Sequence, residues 1–413
     1  MLNELTITTL DNGLTVIVEQ IPHVESAAYS LYIPGGVLSD PADALGCSLV
    51  LIEMSSRGAG QYDSRQLSDA FDCLGIRHGE SASQELFTYR GSLLAEHLDR
   101  ALELVALMTL HPTLPEAELE PIRSVLIQEL NALDDNPASK AMTELLQRYY
   151  PEPYGRCSLG TLEGLQAVSA DCVRSEWEQK FHPSGAVLSV AGKVEASAVL
   201  ESAQRHFGMW QGRAVERPAF GTPVLGKNYH LPTNAAQLQI CMAYPSAPFG
   251  HPCYYAAKVA TAVLSGGMFG RLFIEVREKR GLCYSVSARH SATREFGTVN
   301  IYAGTTPDRA QETLDVLNAE LRALHGTVTA EELTRAKVDL LAALVIGEES
   351  TSARASSNAG DWWVNRRVRR LDEIKTEIER VGAAEIDAYL ERFPVEPFSL
   401  LTLGARELRF GPE

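Results

Sequence analysis

The feature that most constrains the fold is a repeat, because the second half of the sequence follows the same order of patterns as the first. NGLTVIVEQ and SAAYSLYIPGG predict two strands, and GKNYHLP and AQLQICMAYPS repeat that pattern roughly 215 residues later. Each half also contains a predicted turn followed by a helix with acidic residues in its first turn, and the two segments lie about 214 residues apart: LHPTLPEAELEPIRSVLIQEL and LHGTVTAEELTRAKVDLLAAL. The two halves also end alike, with a helix that gives way to a strand and a glycine, in FHPSGAVLSVAGKV and FPVEPFSLLTLGA. This constant offset predicts two similar domains that arose by internal duplication.

The predicted fold class is α+β, with each domain an antiparallel sheet packed with helices. We predict a first domain over residues 1–212 and a second over residues 225–413. The segment 211–224 contains Gly, Pro and mixed charges, which is typical of a linker between domains.

Composition excludes several classes of partner. The chain carries 53 acidic and 37 basic residues, a net charge of −16, which argues against nucleic acid and anionic membranes as partners. The apolar run at 45–52 is about half as long as a membrane-spanning helix. No basic, apolar leader is recognisable at the N-terminus, so we expect a cytoplasmic protein.

Cysteine and histidine spacing argues against a local metal site. The seven cysteines are scattered singly and form no CxxC pair, so neither a zinc knuckle nor a disulfide framework is predicted. No two of the ten histidines lie close enough for HExxH or HxxEH, the arrangements that place two zinc ligands one helical turn apart.

The first long helix is predicted over residues 42–56, and it is apolar on all sides from Leu45 to Ile52. Such a helix is expected to be buried. Its one charge after the start is Glu53. Glu53 is either a helix-end residue that reaches solvent or a partner, or the remnant of a polar site.

The matching segment of the second half, VLSGGMFGRLFIEVREKRGLCYSVSARH, predicts a helix that runs to about Arg280 and ends at Gly281. A strand follows, with Leu282, Tyr284 and Val286 expected on one face. The helix ends in a charge cluster that includes Arg277. Two interpretations are open: the basic residues complement the helix C-terminus and Tyr284 is half-buried sheet filler, or Arg277 and Tyr284 are functional.

The doubled architecture and the phrase RLFIEVREKRGLCYSV resemble the pitrilysin, insulysin and mitochondrial-processing-peptidase family of zinc peptidases. GGVLSDPADALG, LNALDDNP, PYGRCSLGT and FHPSGAVLSVAG match as well, so the resemblance covers essentially the whole chain.

The resemblance implies that this chain lacks the zinc site. Catalytic members carry HxxEH on the first long helix, and its two histidine positions fall on Leu49 and Glu53, with the glutamate position on Ile52. Glu129 matches the third zinc ligand, about 76 residues later. One carboxylate cannot hold catalytic zinc, which takes three protein ligands and a water. Gly79 and Glu80 also replace the family's Asn-Ala edge-strand pattern.

The second half keeps the family's other site residues. An Arg and, seven residues later, a Tyr contact the peptide in that family, and Arg277 and Tyr284 match this pair. The resemblance implies a chain that is inactive alone, has no cofactor of its own, and donates Arg277 and Tyr284 to a peptide held by a homologous zinc-bearing partner in a closed chamber. The alternative is a purely structural assembly subunit, similar to respiratory-complex core proteins.

Overall fold

A computed structural model describes residues 4–212 and 217–409. The strands are β1 (Glu4–Thr9), β2 (Thr15–Gln20), β3 (Ser26–Pro34), β4 (Gly58–Ala59), β5 (Tyr62–Asp63), β6 (Arg77–Ala82), β7 (Leu86–Leu94), β8 (Val187–Gly192), β9 (Asn228–Pro232), β10 (Leu238–Ser246), β11 (Cys283–Ala292), β12 (Gly297–Thr305) and β13 (Ser399–Gly404). The α-helices are α1 (Cys47–Ser55), α2 (Ser64–Asp72), α3 (Leu98–Leu110), α4 (Leu119–Ala132), α5 (Pro137–Tyr149), α6 (Leu162–Ala167), α7 (Ala170–Lys180), α8 (Ala196–Phe207), α9 (Tyr254–Ser265), α10 (Ala310–Ala323), α11 (Ala330–Gly347), α12 (Thr351–Asn365), α13 (Leu371–Arg380) and α14 (Ala383–Arg392). Within these described ranges, none of the helices combines the length and the apolar character needed to cross a bilayer.

Two large sheets carry the same strand order, which confirms the internal duplication. The first runs β1-β2-β8-β3-β7-β6 and the second β9-β13-β10-β12-β11, so the second lacks only a counterpart of β1 in the described part of the chain. β3 and β10 begin 212 residues apart, as do β8 and β13. The α+β class is confirmed with one refinement. β2 pairs with β8, and β9 with β13, in parallel, whereas the other neighbours are antiparallel.

The two compact units of the structure do not correspond to the two segments on either side of the linker. The described residues of one unit fall within Met1–Ala132, Arg156–Ala219 and Gly347–Val368, and those of the other within Leu133–Gly155, Phe220–Ile346 and Arg369–Glu413. Helix α5 from the first half packs on β10 and β13, and α12 from the second half packs on β3 and β8. The segments 1–212 and 225–413 therefore describe the duplicated sequence rather than the compact units.

Apolar side chains on the second face of each sheet explain why each sheet packs with a helix from the other half of the sequence, an arrangement we call the exchange of α5 and α12. Leu145 and Tyr149 of α5 are buried against Cys241, Ala243 and Leu401 of the second sheet. In the first sheet, Ile17 and Val187 are fully buried together with Ala359 of α12. Each sheet thus needs a helix on both faces to bury its apolar surface, and the chain supplies the second helix from its other half.

Helix α1 is buried in the core of its unit, as the sequence predicts, although it begins five residues later than expected. A buried ion cluster fixes its start. Asp40 accepts hydrogen bonds from the N–H groups of Gly46 (2.9 Å) and Ser48 (3.1 Å). Lys180 of α7 lies 3.0 Å from Asp40 and 2.5 Å from Glu176, and the Lys180 and Asp40 side chains are 3% and 1% exposed. The cluster therefore joins α7 to the N-terminus of α1.

We predict that Lys180→Met lowers the free energy of unfolding by about 3–5 kcal/mol, because it leaves Asp40 buried without its cation. Urea denaturation measures the change. Lys193→Met is the matched control, since Lys193 pairs with Glu25 at the surface (2.7 Å) and its loss should cost less than about 1 kcal/mol. Equal effects of the two substitutions would contradict the role given to the cluster.

Candidate functional site

The segment before β11 carries Arg277 on an irregular helix. Phe273–Glu278 is a π-helix, and the N–H of Lys279 donates to the carbonyl of Ile274, five residues back (2.9 Å). The predicted helix is present and ends close to Arg280, but its last part is a π-helix, because a wider turn replaces the regular α-helical turn. Gly281 ends the segment with φ +60°, the left-handed conformation that glycine adopts without strain, as predicted.

A β-bulge exposes Tyr284. The pairing of β11 with β12 shifts between Cys283 and Ser285, so Tyr284 is the extra residue. Bulges commonly redirect a side chain, and Tyr284 is 79% exposed whereas Leu282 is 4% exposed. The prediction that these two side chains share a face is therefore wrong. Tyr284 is therefore not a half-buried residue that packs against the sheet, because its ring is not part of the core.

Two aromatic rings flank the guanidinium of Arg277. Its Cζ atom lies 4.9 Å from the centroid of the Phe273 ring and 5.4 Å from that of Tyr284, within the range of a cation–π interaction. Sequence reasoning missed Phe273, although an aromatic residue four positions before an arginine on a helix is a recognisable signal. The stack positions Arg277 beside the exposed phenol.

The charge cluster of this segment divides into paired and unpaired residues. Lys279 and Arg280 each lie 2.7 Å from Glu275, and their hydrogen bonds lower the pKa of that carboxyl group. Arg277 forms no ion pair with any carboxylate of the residues that the structure describes. Its forked N–H donors are therefore available to a ligand.

An ion pair anchors the π-helix. Arg271 donates to both oxygens of Glu332 on α11, at 2.6 and 2.9 Å. Partial burial raises the pKa of Glu332, but the hydrogen bonds from Arg271 and Thr329 outweigh this effect and hold it at about 2. Leu272 and Val276 are fully buried. These contacts fix the backbone from which Phe273 and Arg277 project.

The zinc-motif positions of the first half have no metal-ligand character. Leu49 is half-buried, Ile52 is buried, and Glu53 lies 3.9 Å from Arg57. Burial raises the pKa of Glu53, Arg57 lowers it, and the charges of Glu80 and Glu129 raise it further. Glu53 and Glu129 are thus close enough to interact. The contact of Glu53 with Arg57 near the end of α1 is compatible with the interpretation of Glu53 as a helix-end residue that reaches a partner.

These residues do not fit a catalytic zinc ion. Leu49 and Ile52 offer no donor atom where the family pattern has histidine and glutamate. Across residues 4–212 and 217–409, no group of three His, Cys, Asp or Glu side chains is arranged to hold a metal. A catalytic zinc ion takes three protein ligands, so we derive no zinc chemistry from this half.

We predict that the purified chain retains far less than one zinc ion after dialysis, because Glu53 and Glu129 cannot replace three ligands. Elemental analysis of the dialysed chain measures the content, and a Glu129→Gln variant should give the same value. About one tightly held zinc ion per chain, lost in the Glu129→Gln variant, would contradict this account.

Comparison with family models gives two matches along the chain. Residues 15–161 match the model described as Insulinase (Peptidase family M16), and residues 167–340 match the model described as Peptidase M16 inactive domain. The two matches follow one another in the order of the duplicated halves.

Similar proteins match over nearly the full length. A zinc protease of Bacillus subtilis is 28% identical over 399 residues, covering 95% of this chain and 96% of its own. A zinc protease of Rickettsia felis is 26% identical, covering 94% of each chain. The crystal structure of a peptidase M16 inactive domain from Pseudomonas fluorescens aligns with a TM-score of 0.89 at 20% identity, over 99% of this chain and 100% of its own. A protease from Helicobacter pylori aligns with a TM-score of 0.87 at 19% identity, over 98% and 100%.

Proposed function

The chain belongs to peptidase family M16, and we propose that it is the non-zinc subunit of a two-chain peptidase. In this proposal Arg277 and Tyr284 act on a peptide that a homologous subunit with HxxEH holds at its zinc ion. The observation that supports it most strongly is the exposure of Tyr284, at 79%, beside an Arg277 that has no carboxylate partner among the described residues. A large aromatic side chain held in solvent by a bulge contributes little to folding.

Tyr284 would act as a hydrogen-bond donor. The O–H group of a phenol can donate a hydrogen bond to an oxygen atom. When water adds to a peptide carbonyl, negative charge develops on the carbonyl oxygen, and a positioned O–H group stabilises that charge. The strand that follows the bulge is paired to β12 from Ser285 to Ala292 and would hold the backbone of Tyr284 in place.

Arg277 would position the peptide. Its planar group carries five N–H donors in a fixed fork, which suits carbonyl and carboxylate oxygens. The rings of Phe273 and Tyr284 lie within cation–π distance of the guanidinium and would restrict its orientation. The partner supplies the zinc ion in this proposal, and this chain contributes no metal ligand.

We predict that Tyr284→Phe lowers kcat of the mixed complex by about 10²–10³-fold, the usual cost of losing one oxyanion donor. Assembly and the zinc content of the partner should not change, because only an exposed hydroxyl is removed. Tyr229→Phe is the matched control, since Tyr229 lies on β9 at the opposite edge of the same sheet and also has an arginine over its ring, Arg148, at 5.7 Å.

Steady-state kinetics of the Tyr284→Phe and Tyr229→Phe complexes test the catalytic role of Tyr284. If the Tyr284→Phe complex assembles normally and keeps wild-type turnover, the catalytic role is wrong. The alternative of a purely structural assembly subunit would then account for the chain, because assembly alone does not require this hydroxyl.

We predict that Arg277→Lys raises KM by about tenfold or more and changes kcat less, because lysine keeps the charge but loses the fork. Arg289→Lys is the control, because Arg289 is exposed on β11, the edge strand that also carries Tyr284, and has no assigned role. Unchanged KM in the Arg277→Lys complex would show that Arg277 does not position the peptide.

A further inference from the structure

Two cysteines that are 125 residues apart in the sequence are in contact in one unit, where Cys47 belongs to the core and Cys172 packs against it. The Sγ atoms of Cys47 and Cys172 lie 3.3 Å apart. Cys47 is the first residue of α1, and Cys172 lies in the first turn of α7, where its N–H donates to the Ser169 hydroxyl (3.1 Å). Both are free thiols. A disulfide bond measures about 2.05 Å, so the two sulfurs need to approach by little more than 1 Å.

The helices that carry the two thiols are held against each other by the buried ion cluster. Glu176 and Lys180 follow Cys172 at intervals of four residues, so the three side chains lie on the same side of α7. Lys180 reaches Asp40 (3.0 Å) and the Ser48 hydroxyl (2.9 Å), next to Cys47 in the chain. The contact between the thiols is therefore a fixed feature of the packing of α1 on α7.

The two thiols differ in access. Cys47 is fully buried, whereas Cys172 is partly exposed. Cys172 is therefore the more accessible of the two to a small oxidant, and Cys47 lies buried next to it. This is the arrangement of an attacked thiol with an adjacent resolving thiol.

We propose that Cys47 and Cys172 form a redox-active dithiol, which a small-molecule disulfide such as oxidised glutathione converts into an intramolecular disulfide that joins α1 to α7. The Cys172 thiolate attacks one sulfur of oxidised glutathione, which forms a mixed disulfide and releases one glutathione thiolate. The Cys47 thiolate then attacks the Sγ atom of Cys172 and releases the second glutathione. The two cysteines lose two electrons and two protons, and the glutathione disulfide gains them as two thiols.

The surroundings make this reaction slow at neutral pH. Burial raises the pKa of both thiols, and the nearby carboxylates of Asp40 and Glu176 raise it further, with Asp43 acting in the same direction on Cys172. The ammonium group of Lys180 is already bound by Asp40 and Glu176. Because the thiolate is the attacking species, closure requires sustained oxidation rather than a brief exposure.

The disulfide should make the unit harder to unfold. A cross-link across 125 residues restricts the unfolded chain over a long loop. We expect oxidation to raise Tm by about 5 °C or more, and a dithiol reductant to reverse the shift.

The experiment incubates the full chain with oxidised glutathione at mildly alkaline pH, then unfolds it and alkylates the free thiols. We expect two of the seven cysteines to escape alkylation, a mass loss of about 2 Da for two hydrogens, and one cross-linked peptide pair that contains Cys47 and Cys172. Thermal unfolding of the same sample gives the shift in Tm.

Two variants make the test specific. Cys172→Ser should lose both the cross-link and the shift in Tm, whereas Cys73→Ser, which removes an exposed cysteine elsewhere in the unit, should keep both. A stable glutathione adduct on Cys172 with Cys47 still alkylated would overturn the proposal. So would a shift in Tm that persists in Cys172→Ser. None of these outcomes depends on peptidase activity.

Discussion

The ion pair of Asp40 and Lys180 is the interaction on which the first half depends. Asp40 accepts from the first N–H groups of α1, where the helix dipole favours a negative charge, and Lys180 neutralises it in a site closed to water. This arrangement lets α1 begin inside the core with an apolar surface on all sides. It also fixes α7 against α1, and so brings Cys47 and Cys172 into contact. The positions that match the family's zinc motif therefore lie on a helix whose start is held by this ion pair.

The second half depends on two backbone irregularities. The π-helix directs Arg277 away from the buried Leu272 and Val276, and the bulge directs Tyr284 away from the buried Leu282. Either a regular helix or a regular strand would change the direction of one of these side chains. Such irregularities cost regular hydrogen bonding and are often found at functional sites. The two halves thus share a fold, and in the proposed function only the second half contributes side chains to the reaction.

Much of this could be predicted from the sequence. The duplication, the α+β class, the buried α1 and the glycine at 281 follow from repeated patterns, apolar periodicity and the rarity of left-handed backbone outside glycine. The bulge at Tyr284 could not be predicted, because Leu282, Tyr284 and Val286 alternate as in a regular strand. The exchange of α5 and α12 was also missed, since an amphipathic pattern shows that a helix has a buried face but not which sheet covers it. Nor could the contact between Cys47 and Cys172 be predicted, because it arises only when α1 and α7 pack.

The most direct test of the central claim is peptide hydrolysis by this chain, by a homologous subunit with HxxEH from the same source, and by mixtures of the two at a fixed total concentration. The account predicts little or no turnover by either chain alone and a maximum at equal amounts of the two, because each supplies part of one site. Turnover by this chain alone, or a mixture no faster than the HxxEH subunit by itself, would contradict it.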